Sequence, residues 1–120
     1  MPVQGYLLDQ SNWNTGPNAA QLTATGSTIA DAALITKGTS DVTGGNGTKG
    51  VRLPLQVTEG AIPGVQYKVY NNSGSNLLVY PPNAASNING GTAGASITLS
   101  TKTAGIFELS AIDGLTWYKM

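Results

Sequence analysis

The sequence has no histidine and no cysteine, and its 120 residues include only six basic and six acidic side chains. The absence of these two residue types excludes a Ser–His triad, a cysteine nucleophile, a disulfide and a thiolate metal site. The acidic residues are widely scattered, so no two of them stand out as a pair for general acid–base work. We therefore predict no catalytic residues, no cofactor and no metal site, and we do not expect an enzyme.

Charge is scarce as well as balanced. The formal net charge is zero and 10% of the residues are charged, whereas about a quarter are charged in ordinary soluble domains. Such a chain lacks the basic patch that captures nucleic acid or an anionic membrane surface, so we expect neither partner. Low charge also favours association. Either an assembly covers much of the surface, or Ser, Thr and Asn keep a monomer in solution; we favour the assembly and expect an oligomer.

The first residues contain no basic region followed by an apolar stretch, which is the pattern of a secretory signal. No apolar run approaches the roughly 20 residues that a membrane-spanning helix needs. We therefore expect the protein to be made and folded in a cytoplasm.

Short β-rich runs separated by turn residues dominate the second half of the chain. Residues 67–70 (YKVY) and 77–80 (LLVY) flank an Asn/Ser/Gly cluster at 71–74. Two such runs around a turn cluster are typical of a β-hairpin. This segment is the clearest hairpin that the sequence predicts.

A second hairpin is predicted around Asp113-Gly114, a tight-turn dipeptide. Alternation places Phe107 and Leu109 on one face of the first strand, and Leu115 and Trp117 on one face of the second. We expect these side chains to meet in the core. The predicted core residues are Tyr67, Val69, Val79, Phe107, Leu109 and Trp117.

Strands recur about every 10 residues from residue 51 onward, which favours an all-β fold, either a small antiparallel β-sandwich or a barrel. Residues 1–25 do not share this pattern, yet they contain Tyr6, Leu7, Leu8 and Trp13. We interpret them as an extended N-terminal arm that buries these four side chains against a neighbour or against the body. The predicted organisation is therefore an arm at 1–25 and an antiparallel β-domain at 26–120.

Aromatic side chains on a β-sheet face can also stack against sugars or bases. Tyr70, Tyr80 and Tyr118 are the best candidates, because their neighbours along each strand point the other way. Cross-strand packing and interface anchoring also explain tyrosines in such positions, and we favour that interpretation over ligand stacking.

The order of motifs resembles a small β-module of tailed-bacteriophage virion proteins, notably head decoration (cement) proteins and fibre-like head or tail components. The shared pattern is G-V-x-L-P, a Pro-Gly turn, Y-x-V-x-N, L-x-V-Y-P, I-N-G and a final strand with Trp. The matching residues are Gly50, Val51, Leu53, Pro54, Pro63, Gly64, Tyr67, Val69, Asn71, Leu77, Val79, Tyr80, Pro81, Ile88, Asn89, Gly90 and Trp117. The resemblance covers about three quarters of the chain and excludes the first 25 residues or so.

This resemblance implies a virion structural protein without catalytic residues. It implies a symmetric oligomer, often a homotrimer, on the capsid surface, with the major capsid protein as partner. The short chain favours a decoration protein that clamps neighbouring capsomers. The alternative is a receptor- or glycan-binding module of a tail or head fibre, for which a host-surface glycan would be the partner.

Overall fold

The computed structural model describes residues 19–56 and 58–120. This part of the chain consists of strands, turns and loops, and it holds no helix that could cross a membrane. The all-β class predicted from the sequence is confirmed. The strands are β1 (Ala19–Thr23), β2 (Ala33–Leu34), β3 (Thr39–Gly44), β4 (Gly50–Arg52), β5 (Gln66–Asn71), β6 (Leu77–Tyr80), β7 (Asn87–Ile88), β8 (Ile97–Leu99), β9 (Ala104–Leu109) and β10 (Thr116–Lys119).

The strands form two mixed sheets rather than the purely antiparallel arrangement that the sequence predicts. The six-stranded sheet has the order β1-β3-β5-β9-β10-β7, and the four-stranded sheet has the order β2-β4-β6-β8. β1, β3 and β5 are mutually parallel, as are β2, β4 and β6. The antiparallel pairs are β5 with β9, β9 with β10, and β6 with β8.

The parallel pairs arise because the chain changes sheet after each of its first strands. β1, β3 and β5 lie in the six-stranded sheet, and the intervening β2, β4 and β6 lie in the other. Parallel neighbours within each of these two sets are therefore two strands apart in the chain and lie in the same sheet. A two-residue turn cannot join parallel neighbours, and the strand in the other sheet forms part of the longer connection that they need. As a result, the first residues of β1, β3 and β5 all lie at one end of the sheet.

One hydrophobic core receives side chains from both sheets. The six-stranded sheet contributes Val42, Val69 and Phe107, and the four-stranded sheet contributes Val51 and Val79. Along β5 and β9 buried and more exposed residues alternate, as expected for strands with one face on a core. All six residues of the predicted core are buried: Tyr67, Val69, Val79, Phe107, Leu109 and Trp117.

The predicted hairpin over residues 67–80 is wrong. β5 and β6 follow each other in the chain, but they belong to different sheets and do not pair. The turn between them is an arch, which takes the chain from one sheet to the other. The second predicted hairpin is confirmed, because β9 and β10 pair antiparallel with Leu109 opposite Trp117.

A buried amide explains the arch. Asn71, the last residue of β5, is fully buried. Its side-chain nitrogen donates hydrogen bonds to the carbonyl oxygens of Ser75 (2.8 Å) and Leu99 (2.9 Å). Its side-chain oxygen accepts from the backbone N–H of Ser73 (3.0 Å) and from the hydroxyl of the same residue (2.7 Å). The amide therefore uses both of its donors and both lone pairs inside the protein, and it ties the arch to β8.

The body of the protein begins before residue 26, where the sequence analysis places its boundary. Residues 19–23 form β1, and the next residues continue this contact, since Thr25 bridges to Gly50. Because β1 pairs with β3, this segment is an edge strand of the six-stranded sheet rather than an arm. Residues 1–18 lie outside the described residues, so the predicted arm there stays a prediction.

Substitution of Trp117 tests the packing of the core. It is fully buried, and its ring meets that of Tyr67 edge to face, with centroids 5.7 Å apart. Replacing a buried Trp by Ala costs about 3–5 kcal/mol, so Trp117→Ala is expected to lower the unfolding temperature strongly or prevent folding. The neighbouring Tyr118→Ala, at a half-exposed site, is the matched control and should change the free energy of unfolding by about 0.5 kcal/mol or less. Coincident thermal melts of the two variants would contradict this packing.

The arch is tested by Asn71→Ala. The change leaves the carbonyl oxygen of Leu99 without its buried donor, and an unsatisfied buried polar group costs about 1–3 kcal/mol. We expect a loss of about 2 kcal/mol or more in urea unfolding. Asn76→Ala, at an exposed position of the same arch, should leave the midpoint nearly unchanged. Equal losses in both variants would show that the buried amide has no special role.

Candidate interaction surface

Four large apolar side chains are exposed on two loops at one end of the molecule. Ile112 is 95% exposed, and the other three are 40–58% exposed. We call this group the apolar end; it consists of Ile62, Val65, Ile112 and Leu115. It lies where β5 begins and β9 ends, because Ile62 and Val65 precede β5 while Ile112 and Leu115 lie between β9 and β10.

Hydrogen bonds fix the first of these loops. The hydroxyl of Tyr67 donates to the carbonyl of Gly60 (3.3 Å) and accepts from the backbone N–H of Ile62 (3.3 Å). The backbone N–H of Gly64 donates to the carbonyl of Leu109 (2.9 Å). This last bond joins the loop before β5 to the end of β9, so the two halves of the apolar end are neighbours.

Asp113 organises the second loop. One carboxylate oxygen accepts from the backbone N–H of Leu115 (2.9 Å) and Thr116 (3.0 Å), and the other accepts from the hydroxyl of Thr116 (2.7 Å). These bonds favour the ionised form, so the pKa of Asp113 is lowered, mainly by the N–H of Leu115. Polar contacts rather than apolar packing hold this loop, which leaves Ile112 and Leu115 exposed.

An ion pair stabilises the loop that leads to the apolar end. The guanidinium of Arg52 meets the carboxylate of Glu59 in two hydrogen bonds of 2.6 and 2.9 Å. Glu59 also accepts from the backbone N–H of Leu55 (2.8 Å), and Arg52 donates to the carbonyl of Pro82 (3.3 Å). Both charges are thus used within the protein, and the paired carboxylate is oriented by fixed donors.

The predicted interface residues Tyr6, Leu7, Leu8 and Trp13 lie outside the described residues. Leu115 was expected in the core beside Trp117, and that expectation is wrong: Leu115 is 44% exposed. It precedes β10, which begins at Thr116, so the turn held by Asp113 directs its side chain out of the alternation.

The three candidate tyrosines do not form one surface. Tyr80 is buried, and its hydroxyl donates to the carbonyl of Ser27 (2.6 Å). Tyr70 and Tyr118 are exposed on the six-stranded sheet, but Tyr70 lies level with Ala104 and Tyr118 level with Glu108. Four residues along β9 and two strand spacings separate them, which amounts to about 17 Å. A single sugar ring cannot stack on both.

The acidic residues within the described ranges lie apart from one another. Five of them are described, and each carboxylate accepts a hydrogen bond from this chain; they are Asp31, Asp41, Glu59, Glu108 and Asp113. In residues 19–56 and 58–120 there is no cluster of three side chains that could hold a metal ion.

Sequence reasoning missed the apolar end. Ile112 follows the alternating run that begins at Ile106, so the pattern extended that strand to residue 112, whereas β9 ends at Leu109. Ser110 was the available signal, because its hydroxyl accepts from the N–H of Ile112 (3.1 Å) in a local turn that competes with the ladder.

Comparison of the chain with protein-family models, with curated proteins and with solved structures gives no match.

The ion pair between Arg52 and Glu59 predicts a dependence of stability on pH. The hydrogen bond from Arg52 is the main reason that the pKa of Glu59 lies below its ordinary 4.5, and burial opposes it. A carboxyl whose pKa is lowered by folding stabilises the protein above its unfolded pKa, and this stability is lost as the pH falls through the folded pKa. Glu59→Gln should therefore lower the urea midpoint at pH 7, and the difference from the native protein should shrink below pH 4.5.

The matched control is the same substitution in an Arg52→Gln background, where the main cause of the lowered pKa is absent. There Glu59→Gln should alter the pH profile much less. An identical change in both backgrounds would mean that the ion pair does not couple to folding.

Proposed function

We propose that the chain is a structural protein of a tailed-phage virion, a decoration protein that binds the outer shell as a symmetric oligomer and stabilises contacts between capsomers. The observation that carries the proposal is the apolar end, a group of exposed apolar side chains on loops fixed by hydrogen bonds. A surface that is ordered before binding loses little conformational entropy on contact. Monomeric proteins seldom leave contiguous apolar surface in water unless it serves an interaction.

The small number of charged side chains also supports a protein that assembles. Few charges need to be desolvated when neutral surfaces meet, and the carboxylates of Glu59 and Asp113, on the two loops that carry the apolar end, already accept hydrogen bonds within the chain. Each contact of a 12.3 kDa subunit is small, but a shell presents the same site many times. Linked weak contacts then give strong binding through effective concentration.

The finer points of the proposal come from the resemblance given above. We propose that the two sheets face each other as a sandwich, that three copies form a homotrimer matching a local three-fold axis of the shell, and that the major capsid protein is the partner. Residues 1–18, with their four large apolar side chains, would supply further contacts to neighbours or to the shell.

The proposal is tested on particles and in solution. Gold-labelled antibodies against the protein should mark the head surface of virions made from the genome that encodes it, and light scattering of the purified protein should give a mass of three chains. Labelling confined to the tail would favour the fibre alternative, and the absence of the protein from virions would overturn both. A single-chain mass at all concentrations would remove the preformed trimer from the proposal.

A further inference from the structure

The structure shows where the chain outside the described residues leaves the body. β1 starts at Ala19, which lies beside Thr39 of β3, and Thr39 lies beside Lys68 of β5. β5 is preceded by the loop that carries Ile62 and Val65, so Ala19 and the apolar end belong to the same end of the six-stranded sheet. Two strand spacings, about 10 Å, separate β1 from β5, and four, about 19 Å, separate it from β10.

The length of residues 1–18 matches this separation. An extended chain spans about 3.3 Å per residue, so Trp13 can reach about 20 Å from Ala19, and Tyr6, Leu7 and Leu8 can reach about 36–43 Å. All four side chains can therefore be brought onto the apolar end without any change in the body. A segment tethered this closely has an effective concentration in the millimolar range, which favours its own body over a second copy.

The composition of residues 1–18 also suits the apolar end. Residues 1–18 contain one charged side chain, Asp9, and six apolar or aromatic ones, which include Tyr6, Leu7, Leu8 and Trp13. The outer face of the six-stranded sheet, which also starts near Ala19, carries Tyr70 and Tyr118, but it also carries Gln66, Lys68 and Glu108, which make this face more polar than the apolar end. We propose that in the isolated protein residues 1–18 dock on the apolar end of the same chain, with Tyr6, Leu7, Leu8 and Trp13 against Ile62, Val65, Ile112 and Leu115. This inference does not depend on the virion proposal.

The absence of cysteine allows a direct test on the full-length protein. Gln10→Cys places a single thiol between Leu8 and Trp13, and a nitroxide attached there weakens the NMR signals of nearby amides. We expect loss of signal at Ile62, Val65, Ile112 and Leu115, and full signal at Gly47 and Gly74 in turns at the other end of the sheet. The same label in a chain with Leu7→Ser, Leu8→Ser and Trp13→Ser gives the effect of tethering alone, and the loss should be clearly smaller there.

Three further samples make the proposal falsifiable. Ile112→Ser with Leu115→Ser should reduce the loss to the level of tethering alone, whereas Tyr70→Ser with Tyr118→Ser, on the sheet face, should leave it unchanged. A mixture of nitroxide-labelled chains without ¹⁵N and unlabelled chains with ¹⁵N should show no loss at the apolar end. Loss in that mixture would overturn docking on the same chain in favour of exchange between copies. Loss concentrated along β1, or no loss beyond tethering, would overturn it as well.

Discussion

The four hydrogen bonds of the Asn71 side chain are the constraint on which the fold depends. They fix the point where the chain leaves the six-stranded sheet for the four-stranded one, and they join that point to the carbonyl of Leu99 at the end of β8. The backbone of Asn71 adds bonds to Lys102 and Thr103 in the turn before β9. Asn71 thus links the end of β5 to the end of β8, to the arch that leads into β6 and to the turn that leads into β9. Burying a polar side chain is tolerable only because every one of its donors and acceptors is used.

The alternation of the chain between the two sheets determines where the exposed apolar side chains lie. Because the first six strands alternate between the sheets, the starts of β1, β3 and β5 gather at one end, and the antiparallel β9 returns to that end. The loops that carry Ile62 and Ile112 are therefore brought together although they are far apart in the chain. The side chains of Asp113 and Tyr67 form hydrogen bonds with the backbone of these loops. The loops therefore keep a fixed shape although Ile62 and Ile112 contribute little to the core.

Local patterns in the sequence predict the local parts of this fold. Alternation identifies Val69 and Phe107 as core residues, and Asp113-Gly114 marks the hairpin between β9 and β10. The same alternation cannot distinguish a hairpin from an arch, because in both cases two β-rich runs flank a polar turn. The difference lies in the distant carbonyl of Leu99, which accepts from Asn71. Leu115 was misplaced for a related reason: its exposure follows from the bonds of Asp113 and not from its place in the pattern.

The parallel ladders have a consequence for how the protein is made. Ala19 pairs with Thr39, and Thr39 pairs with Lys68, so the early strands meet partners that are synthesised much later. β9 and β10 follow the other described strands in the chain, and they contribute Phe107 and Trp117 to the core. A nascent chain that has not yet reached β10 carries unpaired parallel strands and an open core, which are features that promote aggregation and slow folding. Folding of this domain therefore depends on β10, which pairs with both β9 and β7 and brings Trp117 into the core.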